Sequence, residues 1–159
     1  MAYATSEFYK TKYYGDTVPD DSIDNYLEKA SDRIDTITFD RLVDGLPDDE
    51  RAETKIQKAV CAVADYLYQI DEIRKASMSS VGTVTREDGT VISKAVSSVS
   101  SGSESISYAT GSSGGMSESI YGQAALDKKV ENVLLYQIAA EYLSGVTDKR
   151  GTCLLYAGV

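Results

Sequence analysis

The sequence contains no histidine and no tryptophan among its 159 residues. Without histidine, the chain lacks the side chain that most often serves as a general base or as a metal ligand. Serine–histidine–aspartate and cysteine–histidine nucleophile systems are therefore excluded within one chain. Glycine motifs of the GxxxxGK[ST] and GxGxxG types, which bind phosphates and dinucleotides, are also missing. We accordingly expect a protein without catalytic residues and without a cofactor.

Cysteine is scarce as well, with Cys61 and Cys153 far apart and without CxxC spacing. Two isolated cysteines do not make a structural zinc site by themselves. Because nothing predicts a disulfide framework, a reducing cytoplasm is the natural setting for folding. Cys61 falls in an apolar helical stripe, so we expect it to be a small core residue.

Basic residues are outnumbered, since 16 Lys and Arg stand against 25 Asp and Glu for a net charge of −9. This balance disfavours binding to nucleic-acid phosphates or to an anionic membrane surface. An acidic wall would nevertheless let a DNA duplex slide past without sticking. No apolar run approaches the roughly 20 residues that span a bilayer. The opening MAYATSEFYK lacks a basic-then-apolar layout, so we expect no signal peptide.

Acidic residues cluster near the start of two predicted helices. The first group can be interpreted as a calcium cluster or as the solvated start of a helix. The second group, Asp48-Asp49-Glu50, is interpreted as negative charge at the start of a helix. EF-hand spacing is missing, so we predict no metal site. Glycoside chemistry would need a pair of carboxylates, and nothing in the sequence singles out such a pair. The first group consists of Asp16, Asp20, Asp21 and Asp24.

Apolar spacing in the first half predicts three helices. A short one runs from Thr5 to about Tyr14, with Thr5 or Ser6 as its cap and Gly15 as its stop. The second begins near Asp20 and weakens at its β-branched end. Its apolar face comprises Ile23, Tyr26, Leu27, Ala30, Ile34 and Ile37. The third runs from about Asp49 to Ala76, with a seam of Ile56, Val60, Val63, Leu67 and Ile70 for packing on another helix.

Composition changes between Ser77 and Gly122, where fifteen of 46 residues are Ser and seven are Gly. As a plain linker this segment would need no alternating apolar residues. An Asp88-Gly89 pair between alternating stretches instead favours a β-hairpin arm that depends on its neighbours, with a further strand at 105–108. We predict arm contacts at Val81, Val84, Ile92, Val96, Ile106 and Tyr108.

The last helix is predicted from about Gln123 to Leu143, or from slightly earlier, and Gly145 would stop it. Its predicted apolar face comprises Leu126, Val130, Val133, Leu134 and Ile138, extended by Tyr142. We thus expect a mainly α protein, a small bundle of about four helices with a long loop or hairpin arm and an extended tail. Its parts would be residues 1–76, the arm 77–122, the last helix 123–145 and the tail 146–159.

The apolar tail has two interpretations. It could fold back on its own domain, or it could dock on a portal or a neighbouring subunit through Leu154, Leu155, Tyr156 and Val159. The twelve tyrosines also have two interpretations, as half-buried side chains on helix surfaces or as contacts in an interface.

The order of these elements resembles the head-tail connector, or adaptor, family of tailed bacteriophages. The resemblance covers nearly the whole chain and rests on the run at Ala30–Phe39, the helix AVCAVADYLY and the loop SESISY. It implies a helical bundle that assembles as a dodecameric ring beneath the portal, with stopper and tail proteins below and DNA passing through the lumen. It also implies a place in the virion neck after synthesis in the bacterial cytoplasm. The Ser/Gly segment is longer than that family's pattern.

Two other classes of function compete with this one. A soluble helical regulator or adaptor would be a monomer or dimer with a disordered Ser/Gly segment. An enzyme would require a buried carboxylate pair that lines a pocket.

Overall fold

The structure is a computed structural model that describes residues 2–79, 81–85, 91–100, 105–109 and 119–156. The described part is mainly helical, as predicted. Helix α1 spans Ser6–Phe8 and continues as a π-helical turn over Tyr9–Tyr13. Then follow α2 (Ile23–Ile37), α3 (Glu50–Ser79), the strands β1–β3, α4 (Ile120–Leu126) and α5 (Lys128–Leu143).

The first helix begins and ends where the sequence predicts. The Thr5 hydroxyl accepts a hydrogen bond from the Phe8 amide at 3.1 Å and so satisfies a free donor of the first turn. Tyr14 is left-handed, with φ of 59°, and the Gly15 amide donates to the Tyr9 carbonyl at 2.9 Å. The left-handed residue at this end is thus Tyr14 and not the predicted Gly15, whose φ is not positive. Glycine is favoured at position 15 for another reason, because a Cβ there would overlap the Tyr9 ring.

Helix α2 lays its predicted apolar face against the core, where all its members but the half-buried Ile37 are buried. The helix ends at Ile37, within the β-branched stretch where we expected it to weaken. Phe39 and Asp40 then both adopt left-handed backbone conformations, with φ of 57° and 58°. These conformations turn the chain sharply towards α3, at positions where glycine would be the unstrained choice.

Helix α3 is the centre of the bundle and packs against α2, α4 and α5. Its five seam residues are all buried, as predicted, and Cys61 is buried beside them. Asp49 caps the helix, since its carboxylate accepts a hydrogen bond from the Ala52 amide at 2.9 Å. The helix extends to Ser79, three residues beyond the predicted end.

Three antiparallel strands lie between α3 and α4 in the order β1-β2-β3, with β1 at Val81–Thr85, β2 at Val91–Ser100 and β3 at Ser105–Ala109. Val84 pairs with Ile92 in the first ladder and Val96 with Tyr108 in the second. The register shifts between Val96 and Ser98, an irregularity that bends a strand. The predicted turns at Asp88-Gly89 and at 111–115 lie outside the described residues.

The prediction of one continuous last helix is wrong. Asp127 is extended, with φ of −118° and ψ of 115°, and separates α4 from α5. Its carboxylate accepts a hydrogen bond from the Lys129 amide at 2.8 Å, so that Asp127 caps α5. Ser119 caps α4 in the same way, by accepting from the Gly122 amide at 3.0 Å.

The predicted apolar face of this region is also partly wrong. Leu126 and Val133 are 75% and 56% exposed. The buried line on α5 instead contains Glu131, Leu135, Ala139 and Leu143. Val130, Leu134, Ile138 and Tyr142 are half-buried and pack against the core. Because α5 carries apolar residues on several of its sides, their spacing in the sequence does not identify the side that faces α3.

The C-terminal segment folds back on its own domain. Gly145, with φ of 73°, ends α5 as predicted. Thr147 then forms an antiparallel bridge with Cys153, and the Leu154 amide donates to the Val146 carbonyl at 2.9 Å. Leu154 is fully buried. Among residues 2–79 and 119–156, no helix combines the length and the apolar character that crossing a membrane demands.

Candidate interaction surfaces

A buried carboxylate joins three helices. Glu131 is 1% exposed and accepts hydrogen bonds from Arg74 of α3 and from Lys128, each at 2.6 Å. Arg33 of α2 lies 3.8 Å away. Burial raises the pKa of Glu131, but the hydrogen bonds from Lys128 and Arg74 outweigh it and lower the pKa below its usual value. Glu131 is therefore charged and paired at neutral pH.

Arg74 also holds the break between α4 and α5. Its Nε donates to the Ala125 carbonyl at 3.0 Å, and its Nη1 lies 3.5 Å from the Asp71 carboxylate. One guanidinium thus binds the end of α4 and the first turn of α5 to α3. The planar fork of arginine suits this arrangement, whereas a lysine ammonium would not reach all three acceptors.

A charged groove of about 430 Å³ surrounds this cluster, and its lining includes four cations and three carboxylates. Most of these groups bond to one another, since Arg74 and Lys128 contact Glu131 and Lys29 lies 3.9 Å from Asp71. The near balance of charge makes the groove a joint between helices rather than an anion site. The sequence did not reveal it, because the cations come from three separate helices. Its charged residues are Lys29, Asp32, Arg33, Asp71, Arg74, Lys128 and Glu131.

Asp65 ties the N-terminal segment to α3. Its carboxylate accepts hydrogen bonds from the Tyr9 hydroxyl and, at 3.1 Å, from the Tyr13 hydroxyl. The Tyr9 oxygen in turn accepts from the Val18 amide at 3.1 Å. Burial raises the pKa of Asp65, against the opposing effect of the two tyrosines. Burial, followed by the bond to Asp65, raises the pKa of Tyr9 to about 12, so the phenol stays protonated as a donor.

Cys61 lies close to this carboxylate. Burial, with the charge of Asp65, raises the pKa of the Cys61 thiol to about 12. A thiol with so high a pKa is protonated at neutral pH and is a poor nucleophile. Cys61 therefore serves packing, as its place in the apolar stripe predicts.

An apolar groove of about 260 Å³ opens between α4 and α5. Ile120 and Val133 lie in its wall and are 52% and 56% exposed. Among the residues that the structure describes, the lining also contains the charged Lys129 together with Val130, Leu134 and Gln137. We name this feature the α4–α5 groove. Large exposed apolar side chains in one place often mark a contact surface.

A second apolar surface is formed by the turn between α2 and α3. Phe39 and Val43 are 53% and 67% exposed. The Arg41 guanidinium packs over the Phe39 ring at 5.4 Å from its centre. The same guanidinium donates to the carbonyls of Cys153 and Leu154 at 3.0 and 3.1 Å and holds the tail. We name residues 39–43 the Phe39 loop.

The predicted docking residues of the tail are divided by the structure. Leu154 is buried in the core of its own domain and Leu155 is half-buried, as the fold-back interpretation predicts. Tyr156 is 53% exposed, and Val159 lies outside the described residues. The tyrosines are divided too: Tyr9, Tyr26 and Tyr66 are buried, while Tyr14, Tyr136 and Tyr156 are exposed.

The predicted arm residues all lie on strands. Val81 and Val84 are in β1, Ile92 and Val96 in β2, and Ile106 and Tyr108 in β3. The register pairs Val84 with Ile92, Val96 with Tyr108, Val81 with Ala95 and Ile106 with Val99.

The acidic groups at the helix starts make local contacts. Asp20 pairs with Lys10 at 2.8 Å, and Asp49 caps α3. Within the described ranges, no three Cys, Asp or Glu side chains gather as a set of metal ligands. Comparisons with protein-family models, with curated proteins and with solved structures give no match for this chain.

Proposed function

We propose that this chain is a structural virion protein, a head-tail connector that forms a ring beneath the portal and links it to stopper and tail proteins. It would act without catalysis, in the neck of a tailed bacteriophage, after synthesis in the host cytoplasm. The resemblance in element order supports the proposal, as does the acidic helical bundle that carries a strand segment between α3 and α4.

The observation that carries the proposal is the presence of two different exposed apolar surfaces on one small domain. The α4–α5 groove and the Phe39 loop belong to separate elements, and both keep large side chains in solvent. A ring subunit needs two unlike surfaces, because each copy contacts one neighbour with one surface and the next neighbour with the other.

Charge supports the passage of DNA through such a ring. A net charge of −9 would give a lumen that repels phosphates, so that a duplex moves through without sequence-specific binding. Mapping the charge on an assembled ring tests this part, and a basic lumen would contradict it.

A second candidate is a soluble helical adaptor unrelated to virions, which would be a monomer or dimer. The observation that favours it is the tail. Leu154 is buried within its own chain, so one residue expected at the portal is already engaged. Docking by the tail would then depend on Tyr156 and on the residues that follow it.

Negative-stain imaging of the full-length chain with the portal encoded in the same genome separates the two candidates. The connector proposal expects a ring of density beneath the portal. The chain alone is the matched control, because connectors of this type can stay monomeric until a portal is present. A folded chain that leaves the portal bare at high concentration would exclude the connector function.

A further inference from the structure

The break between α4 and α5 rests on the backbone of one residue. Asp127 has ψ of 115°, where a helix needs about −42°. Helical hydrogen bonds resume on both sides of it, since its amide donates to the Gln123 carbonyl at 2.8 Å and its carbonyl accepts from the Glu131 amide at 3.0 Å. No glycine or proline lies between Gln123 and Leu143. A rotation at Asp127 would therefore join the two helices into one.

Side chains replace a backbone hydrogen bond that the break removes. In a continuous helix the Lys129 amide would donate to the Ala125 carbonyl, four positions earlier. In the structure the Lys129 amide donates to the Asp127 carboxylate at 2.8 Å. The Ala125 carbonyl accepts from Arg74 Nε at 3.0 Å. Both backbone groups are thus satisfied in the broken form, and each would regain its helical partner if these two side chains were removed.

Helix α4 folds back along α5 at this break. Ile120 lines the α4–α5 groove together with Val133 and Gln137. In a continuous helix, Ile120 and Gln137 would instead be about 25 Å apart. Tyr121 packs on the Tyr66 ring of α3, with 5.3 Å between the ring centres. Joining the helices would therefore remove α4 from its position against Tyr66.

The surface of α3 under α4 contains a buried polar group without a partner. Tyr66 is 3% exposed, and among residues 2–79 and 119–156 its hydroxyl finds no hydrogen-bond partner. Such a group costs free energy as long as it is kept from water. At the corner between the helices, Leu126 is 75% exposed. The folded-back form therefore has costs that offset part of the stability its packing contributes.

We propose that Asp127 is a hinge with two states, and that Arg74 and the Asp127 carboxylate hold the folded-back state seen in the structure. In the second state α4 and α5 form one helix from Ile120 to Leu143, about 36 Å long, and α4 no longer packs on Tyr66. Because α4 follows the strand segment along the chain, this motion shifts the point at which that segment joins the bundle. The hinge is a property of the single chain and does not depend on the connector function.

Distances between two nitroxide labels, measured by pulsed electron paramagnetic resonance, report the state of the hinge in the full-length chain. Gln123 and Glu141 are exposed and can be replaced by cysteine for labelling. Cys153→Ser removes the partly exposed native thiol, and the buried Cys61 stays unlabelled. A joined helix places positions 123 and 141 about 27 Å apart, whereas the folded-back state brings them about 10 Å closer. The wild type should show mainly the short distance.

Asp127→Ala combined with Arg74→Lys should release the hinge. The first change removes the cap and inserts a strong helix former. The second keeps a cation for Glu131 but loses the hydrogen bond to the Ala125 carbonyl. Each change should shift the equilibrium towards the joined helix about tenfold. A joined state populated at roughly 0.1–10% in the wild type then rises to about one tenth to nine tenths. A folded double variant with less than about one tenth of the long distance overturns the proposal.

Proline at position 128 provides the matched reversal. As the first residue of α5, Lys128→Pro suits the extended backbone at position 127, but it is incompatible with a continuous helix. Added to the double variant, it should restore the short distance. Lys128→Met removes the same ammonium group without constraining the backbone, and it should leave the long distance in place. A long distance that persists with proline, or that disappears with methionine, overturns the hinge.

Circular dichroism separates joining of the helices from unfolding of α4. The double variant should keep at least the helical signal of the wild type, because the joined helix gains the hydrogen bond from Lys129 to Ala125. A long distance accompanied by a clear loss of helical signal would mean that α4 has unfolded, and this result also overturns the proposal.

Discussion

Replacing Arg74 by methionine should destabilise the bundle by leaving a buried carboxylate with fewer partners. Glu131 is 1% exposed, and Arg74 provides one of its two hydrogen bonds at 2.6 Å. Removing one partner of a fully buried ion pair costs about 3–5 kcal/mol. The cost here should be lower, because the Arg74 side chain is 36% exposed and Lys128 remains bonded. We expect a loss of about 2–3 kcal/mol in the free energy of unfolding.

Urea unfolding followed by circular dichroism measures this loss, and the melting temperature should fall by about 5–10 °C for a domain of this size. Lys75→Met is the matched control. It removes the neighbouring cation, whose bridge to Glu72 is exposed at the surface, and should produce no measurable change. Adding Glu131→Leu to Arg74→Met should recover much of the loss, since an apolar pair often replaces a buried ion pair without destabilisation.

The acid branch of the stability curve gives an independent check. The pKa of Glu131 is lower in the folded state than its ordinary value, so the folded state binds fewer protons than the unfolded chain. The stabilisation is therefore fully present above the ordinary pKa and is lost as the pH falls through the folded value. Arg74→Met should reduce this acid-dependent loss. A stability within about 0.5 kcal/mol of the wild type, with an unchanged acid branch, would refute the reasoning.

Three further changes test other contacts. Leu154→Ala should lower the free energy of unfolding by about 2–5 kcal/mol in urea, because it leaves a cavity under the tail. A cost below about 0.5 kcal/mol would show that the tail does not belong to the core. Asp65→Asn should remove a contribution to the free energy of unfolding that increases as the pH falls below neutral. The folded pKa of Asp65 is raised, so its charge costs stability at higher pH, and that cost disappears as the pH falls through the folded value. An unchanged slope between asparagine and wild type would contradict this sign. Gly15→Ala should cost about 1–3 kcal/mol in thermal melts by displacing the Tyr9 ring, and a neutral effect would contradict that packing.

Some of the candidate surfaces could not have been predicted from sequence. The groups around Glu131 come from positions as far apart as Arg33 and Lys128, and only folding brings them together. From sequence alone, a single Glu in an apolar stretch is expected to be solvent-exposed, because burying an unpaired carboxylate costs too much free energy. The left-handed backbone at Phe39 could not be predicted either, since a Phe-Asp pair carries no local signal for positive φ.

The sequence by itself determined the features that depend on neighbours along the chain. Periodicity identified the buried faces of α2 and α3, and local chemistry identified the cap at Thr5 and the stop at Gly145. Tertiary structure alone decided the break at Asp127, the side of α5 that is buried, and the return of Leu154 to the core. Those outcomes depend on contacts between residues far apart in the sequence. Arg74 contacts Ala125, 51 positions away, and Arg41 contacts Leu154, 113 positions away. The spacing of apolar residues within one helix holds no information about such contacts.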